Sequence, residues 1–134
     1  MIPFLRKYFG KIFWPITWTL VIGILLAMPG SMLPNETHFT IPQFDKIVHI
    51  SLFGGFVFLW NLYLSSRPIP LSRLLRLFFL IFLLAEAYGI GMEYVQKYYI
   101  PGRDFDEADI IADIIGAGLA YGISTTTLLR GQQP

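Results

Sequence analysis

The hydrophobic residues of this chain fall into four apolar segments, separated by short polar stretches that contain prolines. Each segment approaches the roughly 17 to 25 mostly apolar residues that a membrane-spanning helix needs. The pattern therefore predicts helices over about 12–28, 46–64, 74–97 and 107–129. The predicted fold class is all-α: an integral membrane four-helix bundle, with residues 1–134 forming one domain.

Two of the segments leave room for other interpretations. The third contains Glu86 and Glu93, so we expect it to be the weakest of the four by hydropathy. The first follows a basic start and resembles a signal peptide, but its uncharged run of 17 residues is longer than the usual core of about 7 to 15 residues. No clear cleavage site follows it, so a retained helix is favoured.

Composition supports the membrane interpretation. The chain is 54% hydrophobic and only 14% charged, whereas soluble domains carry about 25% charged residues. The net charge of +1 gives no reason to expect nucleic-acid binding. The chain contains no cysteine, which excludes disulfides and thiolate chemistry.

The basic residues predict an orientation. Lysine and arginine are enriched in the short cytoplasmic loops of membrane proteins. That rule places both termini and the 65–76 loop in the cytoplasm, and loops 29–45 and 98–108 outside. Pro29-Gly30 and Pro34-Asn35 are expected to break the chain after the first helix, and Pro42 to precede the start of the second. Residues 131–134 are expected to be disordered. The basic residues of the cytoplasmic side are Arg6, Lys7, Lys11, Arg67, Arg73, Arg76 and Arg130.

All nine acidic residues lie on the outer side or inside the adjacent helices. Asp45 and His49 are four residues apart and share a helix face. Asp45 can also be a helix cap, and this alternative stays open. A histidine one turn inside the membrane, with a carboxylate one turn away, favours a functional His49 over a packing role. Lys46 is a candidate ligand-binding residue, or it extends to lipid headgroups.

Glu86, Glu93 and Gln96 share a stripe on the third helix. Glu93 is expected near the outer interface, where a functional role is favoured. Glu86 lies about 10 Å deeper by helical rise. A carboxylate at that depth is costly unless it is neutral, paired or beside water. It is therefore either a neutral residue bonded across the bundle or a functional one.

Asp106, Asp109 and Asp113 are expected on one face at the start of the fourth helix. The helix dipole alone accounts for acids in the first turn. Arg103 precedes them and offers a planar group suited to carboxylate or phosphate. Its alternative role is a salt bridge to Asp106 or Asp109.

Glycines in the predicted helices are expected at helix contacts, because small residues let membrane helices approach closely. Such contacts would bring together the polar residues of the second, third and fourth predicted helices. The glycines are Gly54, Gly55, Gly89, Gly91, Gly116, Gly118 and Gly122.

These polar residues resemble the VanZ-like family of small bacterial membrane proteins. The resemblance covers roughly 44–122, and the family has Asn where Asp113 stands here. It implies a bacterial inner-membrane protein of the cell envelope, in a family named for a member linked to teicoplanin resistance, a form of antibiotic resistance. It implies no particular reaction. The matching residues are Asp45-Lys46-x-x-His49, Glu93-x-x-Gln96, and Arg103 followed by Asp106, Asp109, Asp113 and Gly116.

Three functions compete at this point. The first is an outward-facing site that binds or modifies a membrane lipid, a lipid-linked cell-wall precursor or a glycopeptide headgroup. His49 and Glu93 are its candidate catalytic bases. The second is a non-catalytic scaffold whose charges form a structural network, and the third is an ion or proton pathway. The third is disfavoured because the cytoplasmic side carries no acid. The candidate ligand-binding residues are Asp45, Lys46, Gln96, Arg103, Asp106 and Asp109.

The sequence does not identify a cofactor, and a partner subunit is plausible at this chain length but not indicated. A divalent metal among His49, Glu93, Asp106 and Asp109 is conceivable, since imidazole and carboxylate are metal ligands. None of the spacings has the specificity of a known metal motif. The sequence therefore favours a site without metal.

Overall fold

The computed structural model describes residues 1–32 and 43–130, and within them it is helical with no strand. This confirms the all-α class. The break expected at Pro34, the position of Pro42 and the disorder expected over 131–134 lie outside the described residues. The helices are α1 (Ile2–Phe9), α2 (Phe13–Leu26), a short 3₁₀ helix (Gly30–Met32), α3 (Phe44–Ser65), α4 (Leu71–Tyr99) and α5 (Glu107–Thr127).

Helices α3, α4 and α5 are each long and apolar enough to cross a membrane. The mean hydropathy of their most apolar stretches is 1.7 for α3, 1.9 for α4 and 1.3 for α5. The expectation that the third segment is the weakest was therefore wrong. Its two glutamates are outweighed by the uninterrupted leucines, phenylalanines and isoleucine of 77–84.

The first apolar segment differs from a simple spanning helix. Helix α2 has 14 residues, fewer than the roughly 17 to 25 that a bilayer requires. Helix α1 precedes it at an angle of 72°, and the two together are long enough for a span. The described residues therefore contain three candidate spans, or up to four if the bent pair counts as one.

Helix α1 covers one end of the bundle. Its apolar residues Ile2, Leu5 and Phe9 pack against a buried cluster that includes Leu62 of α3 and Leu128 after α5. The Arg6 guanidinium donates a hydrogen bond of 2.7 Å to the Leu128 carbonyl oxygen, which satisfies a free carbonyl at the end of α5. From the sequence, Arg6 was predicted only as part of a basic start on the cytoplasmic side.

Helices α3 and α5 form the most extensive helix contact. They cross at Gly54 and Gly116. A Cβ added at Gly54 would lie 3.2 Å from the Gly116 carbonyl oxygen, and one at Gly116 would lie 2.8 Å from the carbonyl carbon of Ile50. Only glycine allows the backbones to come this close, which confirms the helix contact predicted for both residues.

The other glycines divide into two groups. A Cβ at Gly55 would meet the indole ring of Trp18 on α2, and one at Gly89 would meet the Asp113 carboxylate on α5. Both glycines therefore lie at helix contacts, as predicted. The prediction was wrong for three glycines that face open space, where a Cβ would meet nothing within 4 Å: Gly91, Gly118 and Gly122.

The end opposite α1 is where α3 and α5 begin and α2 and α4 end. We call it the polar end. The Gln96 side-chain amide donates to the Leu26 carbonyl at 3.0 Å, and the Gly30 amide donates to the Pro101 carbonyl at 3.1 Å. These bonds hold the end of α2 and the turn after it against α4, beside the predicted site residues.

Candidate functional site

A histidine–aspartate pair lies at the centre of the polar end. His49 Nδ1 is 2.8 Å from Asp113 Oδ1, and the two residues are only 4% and 1% exposed. With Asp113 ionised, the carboxylate only accepts, and Nδ1 donates the proton of this bond. The other ring nitrogen, Nε2, then faces Asp109 Oδ2 at 3.5 Å.

Lys46 joins α3 to α5 next to this pair. Its ammonium group contacts the carboxylates of Asp45 at 3.0 Å, Asp109 at 2.5 Å, and Asp106. The lysine side chain is 19% exposed, so it points into the bundle. The alternative in which Lys46 extends to lipid headgroups is therefore wrong, because three carboxylates hold it.

Glu93 and Asp106 anchor the start of α5. Asp106 Oδ1 accepts a hydrogen bond of 2.8 Å from the Ala108 amide, as a helix N-cap does. Glu93 Oε2 accepts one of 2.9 Å from the Asp106 amide. Asp45 does not cap α3, whose N-cap is Gln43 and shows no side-chain cap bond. Glu93 thus connects α4 to α5, while Asp45 pairs with Lys46.

The hydrogen bonds from Lys46 and from the Ala108 amide hold the pKa of Asp106 below its ordinary value of 3.8. The contribution of this carboxylate to stability is present above that ordinary value and is lost as the pH falls through the lowered pKa. We expect an NMR titration of Asp106 in detergent micelles to show the lowered pKa. Lys46→Met should raise it and Lys11→Met should leave it unchanged, and an equal pKa in wild type and Lys46→Met would refute this assignment.

The structure therefore brings most of the predicted site residues into one cluster. It also includes Asp113, which sequence analysis set apart because the family has Asn there. The sequence did contain a signal for Asp113: it follows Asp109 by four residues, which places both on one helix face. We call this set the polar cluster: Asp45, Lys46, His49, Glu93, Asp106, Asp109 and Asp113.

Two predicted ligand-binding residues stand apart from these contacts. Gln96 is fully buried and bonds to α2, as described above, while its Oε1 has no partner among the described residues. Arg103 lies in the loop before α5 and makes no ion pair within 1–32 and 43–130. The alternative salt bridge to Asp106 or Asp109 is not formed there, because Lys46 occupies both carboxylates.

Glu86 lies deeper in the bundle. Both of its carboxylate oxygens are buried and without a hydrogen-bond partner in the described part of the chain. The structure thus does not show the cross-bundle bond expected of a neutral Glu86. No hydrogen bond or ion pair joins Glu86 to the residues at the polar end within 1–32 and 43–130.

Negative charge dominates the polar cluster. Glu93, Asp109 and Asp113 are at most 6% exposed, and Lys46 is the one lysine or arginine paired with the cluster in the described residues. Glu93 Oε1 and Asp113 Oδ2 are buried and have no partner there. The arrangement can hold and transfer protons through His49, and it can bind a cation.

Comparison with protein-family models, curated proteins and solved structures finds no match to this chain. The VanZ-like resemblance therefore remains a prediction that rests on the residues of the polar end and their spacing.

Proposed function

We propose that this chain is a VanZ-like, multi-pass protein of the bacterial inner membrane whose polar end binds or modifies the headgroup of an envelope lipid or lipid-linked cell-wall precursor. The observation that carries the proposal is the His49–Asp113 pair, buried beside Lys46 at the end of a membrane-type bundle. The cluster opens to the surroundings at Asp45 and Asp106, whose side chains are 57% and 48% exposed.

The orientation in this proposal comes from charge. The end opposite the polar end carries basic residues in α1, in the 66–70 loop and after α5. They include Arg6, Lys7, Arg67 and Arg130. The positive-inside rule assigns that end to the cytoplasm, so the polar end faces outward. With both termini inside, the number of spans is even, and the bent α1–α2 pair is the fourth span.

The chemistry comes from His49 and the nearby cations. Asp113 contacts Nδ1 and leaves Nε2 facing Asp109, so it orients the imidazole as a carboxylate does for a general base. Lys46 lies at the opening. Arg103, which has no ion pair among the described residues, provides a planar group for phosphate or carboxylate. In this proposal Arg103 holds the headgroup at the exposed edge of the cluster, and His49 acts on its reactive part.

Binding of a polyprenyl pyrophosphate to the purified protein in detergent, followed by native mass spectrometry, tests this proposal. We expect a saturable complex, weakened about tenfold by Arg103→Gln through loss of charge-assisted hydrogen bonds. The matched control is Arg130→Gln at the opposite end, which should bind as wild type. Equal binding by wild type and Arg103→Gln would contradict the headgroup role of this end.

The scaffold function is the second candidate, and a specific observation favours it. Lys46 joins α3 to α5, and Glu93 joins α4 to α5, so the same charges connect three helices. Stability measurements on His49→Gln, Glu93→Gln and Arg103→Gln separate the two functions. Unfolding of all three variants would favour a scaffold and argue against a dedicated site. A stable Arg103→Gln variant with lost headgroup binding would exclude the scaffold as the sole function.

A further inference from the structure

The innermost part of the polar cluster has too little positive charge. Glu93, Asp109 and Asp113 are almost completely buried, whereas Lys46 divides its single charge among Asp45, Asp106 and Asp109. Buried carboxylates are strongly destabilising unless a cation or a proton compensates them. This region is therefore suited to a further cation.

The orientation of His49 is that of a metal ligand. Histidine ligands of metals usually donate their other ring N–H to a carboxylate, which fixes the ring and its tautomer. Asp113 holds Nδ1 in this way at 2.8 Å, and Nε2 is left facing the carboxylates of the neighbouring helices. Asp113 thus positions the imidazole without needing to touch the ion.

The spacing of the potential ligand atoms also fits a metal. His49 Nε2 and Asp109 Oδ2 are 3.5 Å apart, which is long for a hydrogen bond. Two ligands on one tetrahedral ion, with bonds of about 2.0 to 2.1 Å, lie about 3.3 Å apart. Asp109 can serve two cations at once, because its other oxygen, Oδ1, contacts Lys46.

Glu93 supplies the third ligand atom. Its Oε2 is engaged by the Asp106 amide, while Oε1 is buried and has no partner among the described residues. One ligand atom from each of His49, Glu93 and Asp109 lies within 4.8 Å of the other two. We propose that His49, Glu93 and Asp109 bind a divalent transition-metal ion, with Asp113 orienting the histidine. Nε2 of His49 is then a metal ligand and no longer the general base of the proposed function.

The ligand set indicates the class of ion. One imidazole and two carboxylates suit Zn²⁺ or Mn²⁺, and three protein ligands leave a coordination position open. A second acidic group, Asp45, Asp106 and Asp109, also has carboxylate oxygens close together. The Lys46 ammonium already lies among those oxygens, so we assign no ion there. The spacing of the residues in the sequence argued against a metal, whereas their convergence from three helices argues for one.

Metal titration of the full chain tests the inference without any lipid ligand. We expect chelator-treated protein in detergent to bind one Zn²⁺ or Mn²⁺ per chain in isothermal titration calorimetry. Glu93→Gln and Asp109→Asn should each weaken binding at least tenfold, because each removes a charged ligand. The matched control is Asp104→Asn, an exposed acid at the same end, which should bind as wild type. The absence of saturable binding, or wild-type affinity in both ligand variants, would overturn the inference.

Asp113 gives a second and more specific test. Asp113→Asn keeps an oxygen that accepts the His49 Nδ1 proton and should retain most of the affinity, whereas Asp113→Leu should lose about ten- to a hundredfold, as loss of an orienting partner does. If variants fold poorly, pulsed EPR of wild-type protein with Mn²⁺ decides the question. Nitrogen hyperfine coupling from an imidazole supports the site, and its absence refutes it.

Discussion

Replacing Lys46 with methionine is expected to lower the free energy of unfolding by about 2 to 4 kcal/mol. Removing one partner of a fully buried ion pair costs about 3 to 5 kcal/mol, and the loss is smaller here because two of the three carboxylates are about half exposed. The substitution removes the charge that three carboxylates share, while methionine keeps most of the side-chain volume. Reversible unfolding in mixed SDS and detergent micelles measures the difference. A change below about 1 kcal/mol, the value of an exposed pair, would show that these contacts add little.

The loss should come mainly from Asp109. Asp45 and Asp106 have side chains that are 57% and 48% exposed, so water solvates both when Lys46 is removed. The Asp109 side chain is only 8% exposed and would be left buried opposite His49. Adding Asp109→Asn to Lys46→Met is therefore expected to restore part of the lost stability, because it removes the uncompensated charge.

Lys97→Met provides the matched control for this prediction. Lys97 is also a lysine of the polar end, and its ammonium lies over the rings of Tyr98 and Phe105, at 5.4 Å and 5.9 Å from their centroids. It makes no ion pair with a carboxylate in 1–32 or 43–130. Its replacement should cost much less than that of Lys46. Equal losses would mean that general charge at this end matters more than the specific contacts.

The long helices were predictable because hydropathy depends only on local sequence. The observed α3, α4 and α5 follow the predicted segments, and α4 extends from Leu71 to Tyr99 rather than over 74–97. The bend between α1 and α2 was not predicted. In the bent arrangement, α1 contacts residues far along the chain, as in the hydrogen bond from Arg6 to Leu128. The local sequence of α1 and α2 does not reveal which distant residues they contact, so it could not predict the bend.

For the candidate site, sequence spacing predicted helix faces but not the partners on other helices. It placed Asp45 and His49 on one face, yet Asp45 contacts Lys46, and His49 contacts Asp113. Partners depend on how α3 and α5 rotate against each other, which is set where Gly54 meets Gly116. Periodicity within one helix cannot fix that rotation, so the glycines and the polar cluster have to be understood together.

Gly116→Ala is therefore expected to affect both stability and the site. The added Cβ would overlap the Ile50 backbone, which cannot move as a flexible side chain would. Overpacking of this kind costs about 1 to 3 kcal/mol. Ile50 follows His49, and Gly116 is one turn beyond Asp113, so the separation of α3 and α5 should also weaken the histidine–aspartate contact. Unfolding in detergent and Zn²⁺ affinity measure the two effects.

Gly118→Ala separates this contact from the general effect of alanine in α5. A Cβ at Gly118 would meet nothing within 4 Å, and alanine is favoured over glycine inside a helix by about 0.8 to 1 kcal/mol. The control variant should therefore be as stable as wild type or slightly more stable, with unchanged Zn²⁺ affinity. If Gly116→Ala matched it in both measurements, the close crossing of α3 and α5 would not be what positions His49 against Asp113.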